Sequence, residues 1–119
     1  MAIIKSFTDL EQSKKLAEIL PLESADYCWG IDKETLCYNN SPYPCAWKDY
    51  TCKEYYIPCW SLAALIGVLP KVINNETLFI ETSPALWHIG YRNIYTARAD
   101  NPVDACYEMI LKLHELKML

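Results

Sequence analysis

The chain of 119 residues holds only three glycines, Gly30, Gly67 and Gly90, so neither G-x-G-x-x-G nor a Walker loop can be written from it. Nucleotide-dependent chemistry of the common kinds is excluded with those loops. Arginine is scarcer still, limited to Arg92 and Arg98, and fifteen acidic side chains against eleven basic ones leave a net charge of −4. No basic stripe is present to release counterions from a phosphate backbone, so no nucleic-acid partner is expected. No stretch approaches the roughly 18 unbroken apolar residues of a membrane span. The opening MAIIKSFTDLEQ turns polar after Ile4, without the apolar region of a secretory signal. A paired His-Glu zincin motif, an internal repeat and a low-complexity tract are all missing. The expectation is a cytoplasmic chain with no membrane partner and no cofactor.

Cysteine is abundant by contrast, at positions 28, 37, 45, 52, 59 and 106. Disulfide frameworks belong to secreted chains, and without an export signal six reduced thiols are expected, used as small apolar side chains. No two of them have the close C-x-x-C spacing that preorganises a metal chelate. Cys45, Cys52 and Cys59 stand too far apart for a tight chelating turn, although a folded chain can gather them, so a structural metal site is kept as an alternative.

With 52% hydrophobic and 13% aromatic residues the composition is that of a folded chain, and its length suits a single domain over residues 1–119. Thr8 followed by Glu11 reads as a capping box, opening a helix over about residues 9–20 with Leu10, Leu16, Ala17, Ile19 and Leu20 on its apolar face. Pro21 ends it. Tyr27, Trp29 and Ile31 alternate with Cys28 and Gly30 as on a strand. A polar turn at 32–34 then allows Thr35–Tyr38 to run back as its partner. The prolines and amides of Asn39–Pro44 predict a loop, and residues 50–56 a further strand with Tyr50, Cys52 and Tyr56 inward. Pro58 reads as the start of a second helix, and the uncharged run 59–69 as a helix buried on every side, stopped by Pro70. Asn74-Asn75 predicts a turn, and Thr77–Thr82, Leu86–Tyr91 and Ile94–Ala97 an antiparallel meander. Asn101 caps a last helix with Pro102 at its first position, Asp104 near its positive end, and Val103, Cys106, Tyr107, Ile110 and Leu113 as its stripe. The fold class is α+β, with one antiparallel sheet of about five strands and three helices.

The segments FTDLEQSKKLAEILP, PCWSLAALIGVLP and ADNPVDACYEMILKLHEL resemble small proteins of gut-dwelling bacteria and their prophages, a family with no assigned activity. The resemblance spans the three helices and implies a mobile-element setting. It implies no residue role.

Two features carry chemistry. Cys59 falls at the predicted start of the second helix, where free amides and the dipole lower a thiol pKa, and His88 lies on a later strand. That order is similar to papain-like and bacterial cell-wall cysteine peptidases, with Asn93 or Asp100 to orient the imidazole. It departs from them in the short interval between the two residues and in Pro58, which removes an amide beside a would-be oxyanion hole. The plainer reading is a buried thiol and a hydrogen-bonded strand histidine, with His114 a solvated or core-edge residue. Arg92 and Arg98 share parity and mark one polar face, with an anion site as its functional reading.

The second feature is the aromatic segment Tyr38, Tyr43, Trp47, Tyr50, Tyr55, Tyr56 and Trp60. Such side chains offer rigid contact area with a polar tip, which suits a partner surface built on Tyr43, Trp47, Tyr50 and Tyr55. The same residues also serve to pack a long loop on its own domain. The expected function is a small non-enzymatic interaction or accessory protein whose partner is another protein or a second copy. The alternatives are a cysteine hydrolase using Cys59 with His88, and a structural metal-binding module.

Overall fold

Asp9, not Thr8, caps the first helix in the computed structural model, which describes residues 5–31, 34–35, 38, 41–44 and 56–119. The Gln12 amide donates to Asp9 Oδ1 at 2.9 Å and the Asp9 amide to Gln12 Oε1 at 3.1 Å. This is a capping box one residue beyond the Thr8–Glu11 pair that the sequence pattern predicts. Helix α1 spans Leu10–Ala17. Thr8 does not cap it because its hydroxyl is buried and engaged elsewhere.

The chain divides into two units, Phe7–Ala64 and Met1–Ser6 with Leu65–Leu119, the N-terminal and C-terminal units below. The architecture is α+β. Among the described residues the strands make two antiparallel sheets, one of three and one of four strands, where a single sheet of about five was expected.

The N-terminal sheet has the order β2-β1-β3, with β1 at Tyr27–Gly30, β2 at Tyr43–Pro44 and β3 at Tyr56–Cys59. The alternation expected in β1 is present, and its buried side is Cys28 and Gly30, with Tyr27 and Trp29 half-buried. Tyr27 lies opposite Pro44 and Cys59, and Cys28 opposite Tyr43 and Pro58. Of the expected return strand 35–38, Thr35 and Tyr38 are described, and Tyr38 forms an antiparallel bridge with Ile31. Tyr43–Pro44, inside the expected loop, pairs with Tyr27 and Cys28 of β1. A short edge strand tolerates proline, which has no amide to donate. The expected strand 50–56 lies outside the described residues except for Tyr56.

Pro58 belongs to β3, also an edge strand, and does not open a helix. The second helix, α2, spans Leu62–Val68, shorter than the expected 59–69. Its start is fixed by Ser61, whose Oγ accepts from the Ala64 amide at 3.2 Å. Leu65 and Leu69 are buried, but Ala63 and Gly67 are exposed. The absence of charge did not mean burial on every side, because small residues one turn apart lose little by facing water.

The C-terminal sheet runs β4-β5-β6-β7, at Val72–Ile73, Glu76–Thr82, Trp87–Tyr91 and Tyr95–Ala99. Asn74 and Asn75 take φ values of 49° and 68° and close the β4–β5 hairpin, a primed turn that asparagine tolerates. Asn93 takes φ 66° in the three-residue loop between β6 and β7. Gly90 is obligatory in the meander, since a Cβ there would lie 2.2 Å from the Tyr95 carbonyl oxygen.

Helix α3, Pro102–Glu115, starts as the sequence predicts, with Asn101 Oδ1 accepting from the Asp104 amide at 2.9 Å. It packs on β6 and β7, burying Val103, Cys106, Met109, Ile110 and Leu113 along with Ile89, Tyr91 and Ala97. Met109 joins the expected stripe and Tyr107 is half-buried. No helix among the described residues is long and apolar enough to cross a membrane.

Candidate functional site

Strand register decides which side chains of the meander share a face. Ile80 and Ala97 both lie opposite Ile89, and Ile89 and Ala97 are buried on the side of α3. The next row, Glu81–His88–Arg98, therefore points to the other side, and so does Phe79–Gly90–Thr96. This second face is open: Glu81, Arg92 and Arg98 are exposed, while Phe79, His88 and Thr96 are half-buried. A carboxylate, an imidazole and a guanidinium thus lie in line across three adjacent strands.

The row is partly tied down. Arg92 Nη2 lies 2.6 Å from Glu81 Oε1, and its guanidinium sits 4.7 Å from the centroid of the Phe79 ring. The pairing is exposed and adds little stability. Its effect is to lay a cation on the aromatic ring and shield part of it from water. His88 Nε2 shares a 2.9 Å hydrogen bond with Ser83 Oγ, which orients the ring. Arg98 has no ion pair among the described residues.

Cys59 belongs to the N-terminal unit and has different surroundings. It is the last residue of β3, fully buried, 3.6 Å from Thr8 Oγ1, and its thiol donates to the Thr8 carbonyl at 3.4 Å. Burial pushes the Cys59 thiol up, and hydrogen bonds from Thr8 and Ser13 only partly oppose it. Asp26 and Cys28 raise it further. The helix-capping position that would favour a thiolate is not where Cys59 stands, and its environment stabilises the protonated thiol.

Around it lies a closed polar knot. Thr8 Oγ1 and Ser13 Oγ are 2.7 Å apart, and the Trp60 amide donates to Thr8 Oγ1 at 3.1 Å. Ser61 donates to Asp26 through both its amide and its hydroxyl. Every buried side-chain nitrogen and oxygen among the described residues is hydrogen-bonded. A knot so fully satisfied holds segments together and presents no group to a ligand.

The residues singled out by sequence scatter accordingly. Cys59 and His88 fall in different units, each with its own partners. Arg92 and Arg98 join His88 on the open face. Asn93 is in the β6–β7 turn, donating to Glu76 Oε1 at 3.0 Å, and Asp100 is exposed. His114 is exposed in the last turn of α3. Tyr43 is half-buried in β2, while Trp47, Tyr50 and Tyr55 lie outside the described residues. Cys28, Cys59 and Cys106 are free thiols, and no cluster of three His, Cys, Asp or Glu side chains suited to a metal ion occurs among the described residues. Sequence reasoning missed Glu81 and Phe79. The signal was available in the meander itself, since counting across its turns sets Glu81 beside His88 and Phe79 one row away.

No family model, no curated protein and no solved structure matches this chain.

Proposed function

We propose that this protein works through contacts with protein, and that the open face of the C-terminal sheet is the contact surface. One observation carries the reading: the face turned away from α3 presents Phe79, Glu81, His88 and Arg98 in register across three strands. Large aromatic and arginine side chains dominate the energetics of protein interfaces, and a rigid sheet presents them without an ordering cost. The buried thiol of Cys59 supports no hydrolase reading, because burial raises it where a nucleophile needs the opposite. The resemblance to prophage-borne proteins adds a mobile-element setting to this proposal.

The test is site-specific photo-crosslinking in cells. A photoreactive residue at Thr77 or Arg98, on the open face, should give a discrete crosslinked protein species. The same residue at Glu108, exposed on α3, should not. Equal labelling from both positions, or none from the sheet, would overturn the assignment.

A further inference from the structure

We infer that the open sheet face pairs with the same face of a second copy of this chain, about a two-fold axis running along β6. The inference rests on the protein-contact reading above and names its partner. The row Glu81–His88–Arg98 is self-complementary at its two ends, and His88, on the axis, meets its own counterpart. Glu81 on β5 and Arg98 on β7 flank His88 on β6 in a single row. Rotation by a half-turn about an axis parallel to β6 lays β5 of one copy over β7 of the other. Glu81 then meets Arg98 of the partner subunit, and Arg98 meets the partner subunit's Glu81, so each contact occurs twice, as an isologous interface requires. The same operation sets Phe79, with Arg92 laid on its ring, over Thr96 of the partner subunit. The two sheets stack with strands nearly aligned, the ordinary geometry of sheet-on-sheet packing.

Two further details fit this occupant. Arg92 engages Glu81 only through Oε1, so Oε2 is available to a second guanidinium. Arg98 is exposed and has no ion pair within its own chain among the described residues, a cation without its anion. The centre of the face is Gly90, which projects no side chain and lets the flanking rows approach. A foreign partner would need its own matching acid and base at this spacing, whereas a second copy has them by symmetry.

The experiment is charge reversal followed by mixing, read by sedimentation equilibrium. Wild-type protein should show a concentration-dependent mass approaching two chains. Glu81→Arg and Arg98→Glu, each alone, place like charges opposite one another and should weaken self-association by more than about tenfold. An equimolar mixture of the two variants should regain the two-chain mass. In the mixed pair the arginine introduced at position 81 faces the glutamate introduced at position 98, and the unaltered Arg98 of one copy faces the unaltered Glu81 of the other. Both positions are exposed, so melting temperatures close to wild type should verify the fold. Wild-type protein that sediments as one chain overturns the inference, and so do variants that dimerise unchanged or a mixture that stays monomeric. Where the chain is monomeric and the photo-crosslink at Thr77 joins a different protein, the second-copy inference falls while the protein-contact reading stands. Absence of any crosslink from the face removes both.

Discussion

Replacing Thr8 by valine keeps the shape of the side chain and removes one hydroxyl, which makes it a direct measure of the knot in the N-terminal unit. That hydroxyl accepts the Trp60 amide at 3.1 Å and is 2.7 Å from Ser13 Oγ, all of it buried. In Thr8→Val the Trp60 amide loses its partner, and a buried unsatisfied donor costs about 1–3 kcal/mol. Loss of the Ser13 hydrogen bond adds about 1 kcal/mol, for a total of roughly 2–4 kcal/mol. Ser13 can still reach the Thr8 carbonyl at 3.5 Å, which limits its share of the loss. The assay is denaturant unfolding, where the midpoint should fall with an unchanged slope. Thr8→Ser, which keeps the hydroxyl, should retain most of the stability.

The same position separates the observed cap from the one the sequence suggested. If Thr8 capped α1, Thr8→Asp would be tolerated and Asp9→Ala would be silent. The structure demands the reverse: Thr8→Asp buries a charge within the knot, and Asp9→Ala loses the cap at a cost of about 1 kcal/mol. A Thr8→Val protein within about 0.5 kcal/mol of wild type would refute the reasoning.

Other outcomes follow from the C-terminal unit. Gly90→Ala should cost at least about 3 kcal/mol or prevent folding, because its Cβ meets backbone atoms of β7 at 2.2 and 2.7 Å that cannot turn aside; a thermal melt reads this. Lys117→Gly should stabilise by about 1 kcal/mol in the same assay, since Lys117 closes α3 at φ 59° in a Schellman turn, with the Met118 amide donating to the Leu113 carbonyl at 2.8 Å. Stability should also fall between about pH 9 and pH 12. Burial holds the Tyr91 hydroxyl and the Cys106 thiol up at about 12, from ordinary values of 10.0 and 9.0, so the unfolded chain releases their protons first and alkali favours it. The contribution is whole below the ordinary values and lost as pH rises through the folded ones. Tyr91→Phe should flatten that decline, and an unchanged profile would count against the burial argument.

The parts of this fold legible in the sequence are those set by local chemistry. The meander and α3 were readable because Asn74, Asn75, Asn93 and the Asn101-Pro102 pair fix turns and a cap within a few residues. The positive φ values of Asn74, Asn75 and Asn93 and the side-chain cap at Asn101 follow from those side chains. The N-terminal unit was less readable because its determinants are distant in sequence. Thr8 looks like a cap until Trp60, 52 residues away, claims its hydroxyl. Pro58 looks like a helix start until register places it on an edge strand beside Cys28. Local propensity and tertiary pairing compete at such positions, and pairing wins where it also buries the group.

The same distinction governs the site. Read along the chain, His88 seeks a nucleophile and finds Cys59, a pairing that depends on a helix cap the structure does not build. Read across the sheet, His88 has Glu81 on one side and Arg98 on the other, neighbours that follow from hairpin register alone. Glu81 then does two things at once. Through Oε1 it holds Arg92 over Phe79, covering part of a ring that would otherwise face water. Through Oε2 it offers an acceptor at one end of the row, while Arg98 at the other end has no ion pair among the described residues. Facing solvent alone, such an order would gain little, since exposed charge pairs contribute at most about 1 kcal/mol. A second surface laid against the row would meet an acid, an imidazole and a base at fixed spacing, and the proposed contact surface rests on that complementarity.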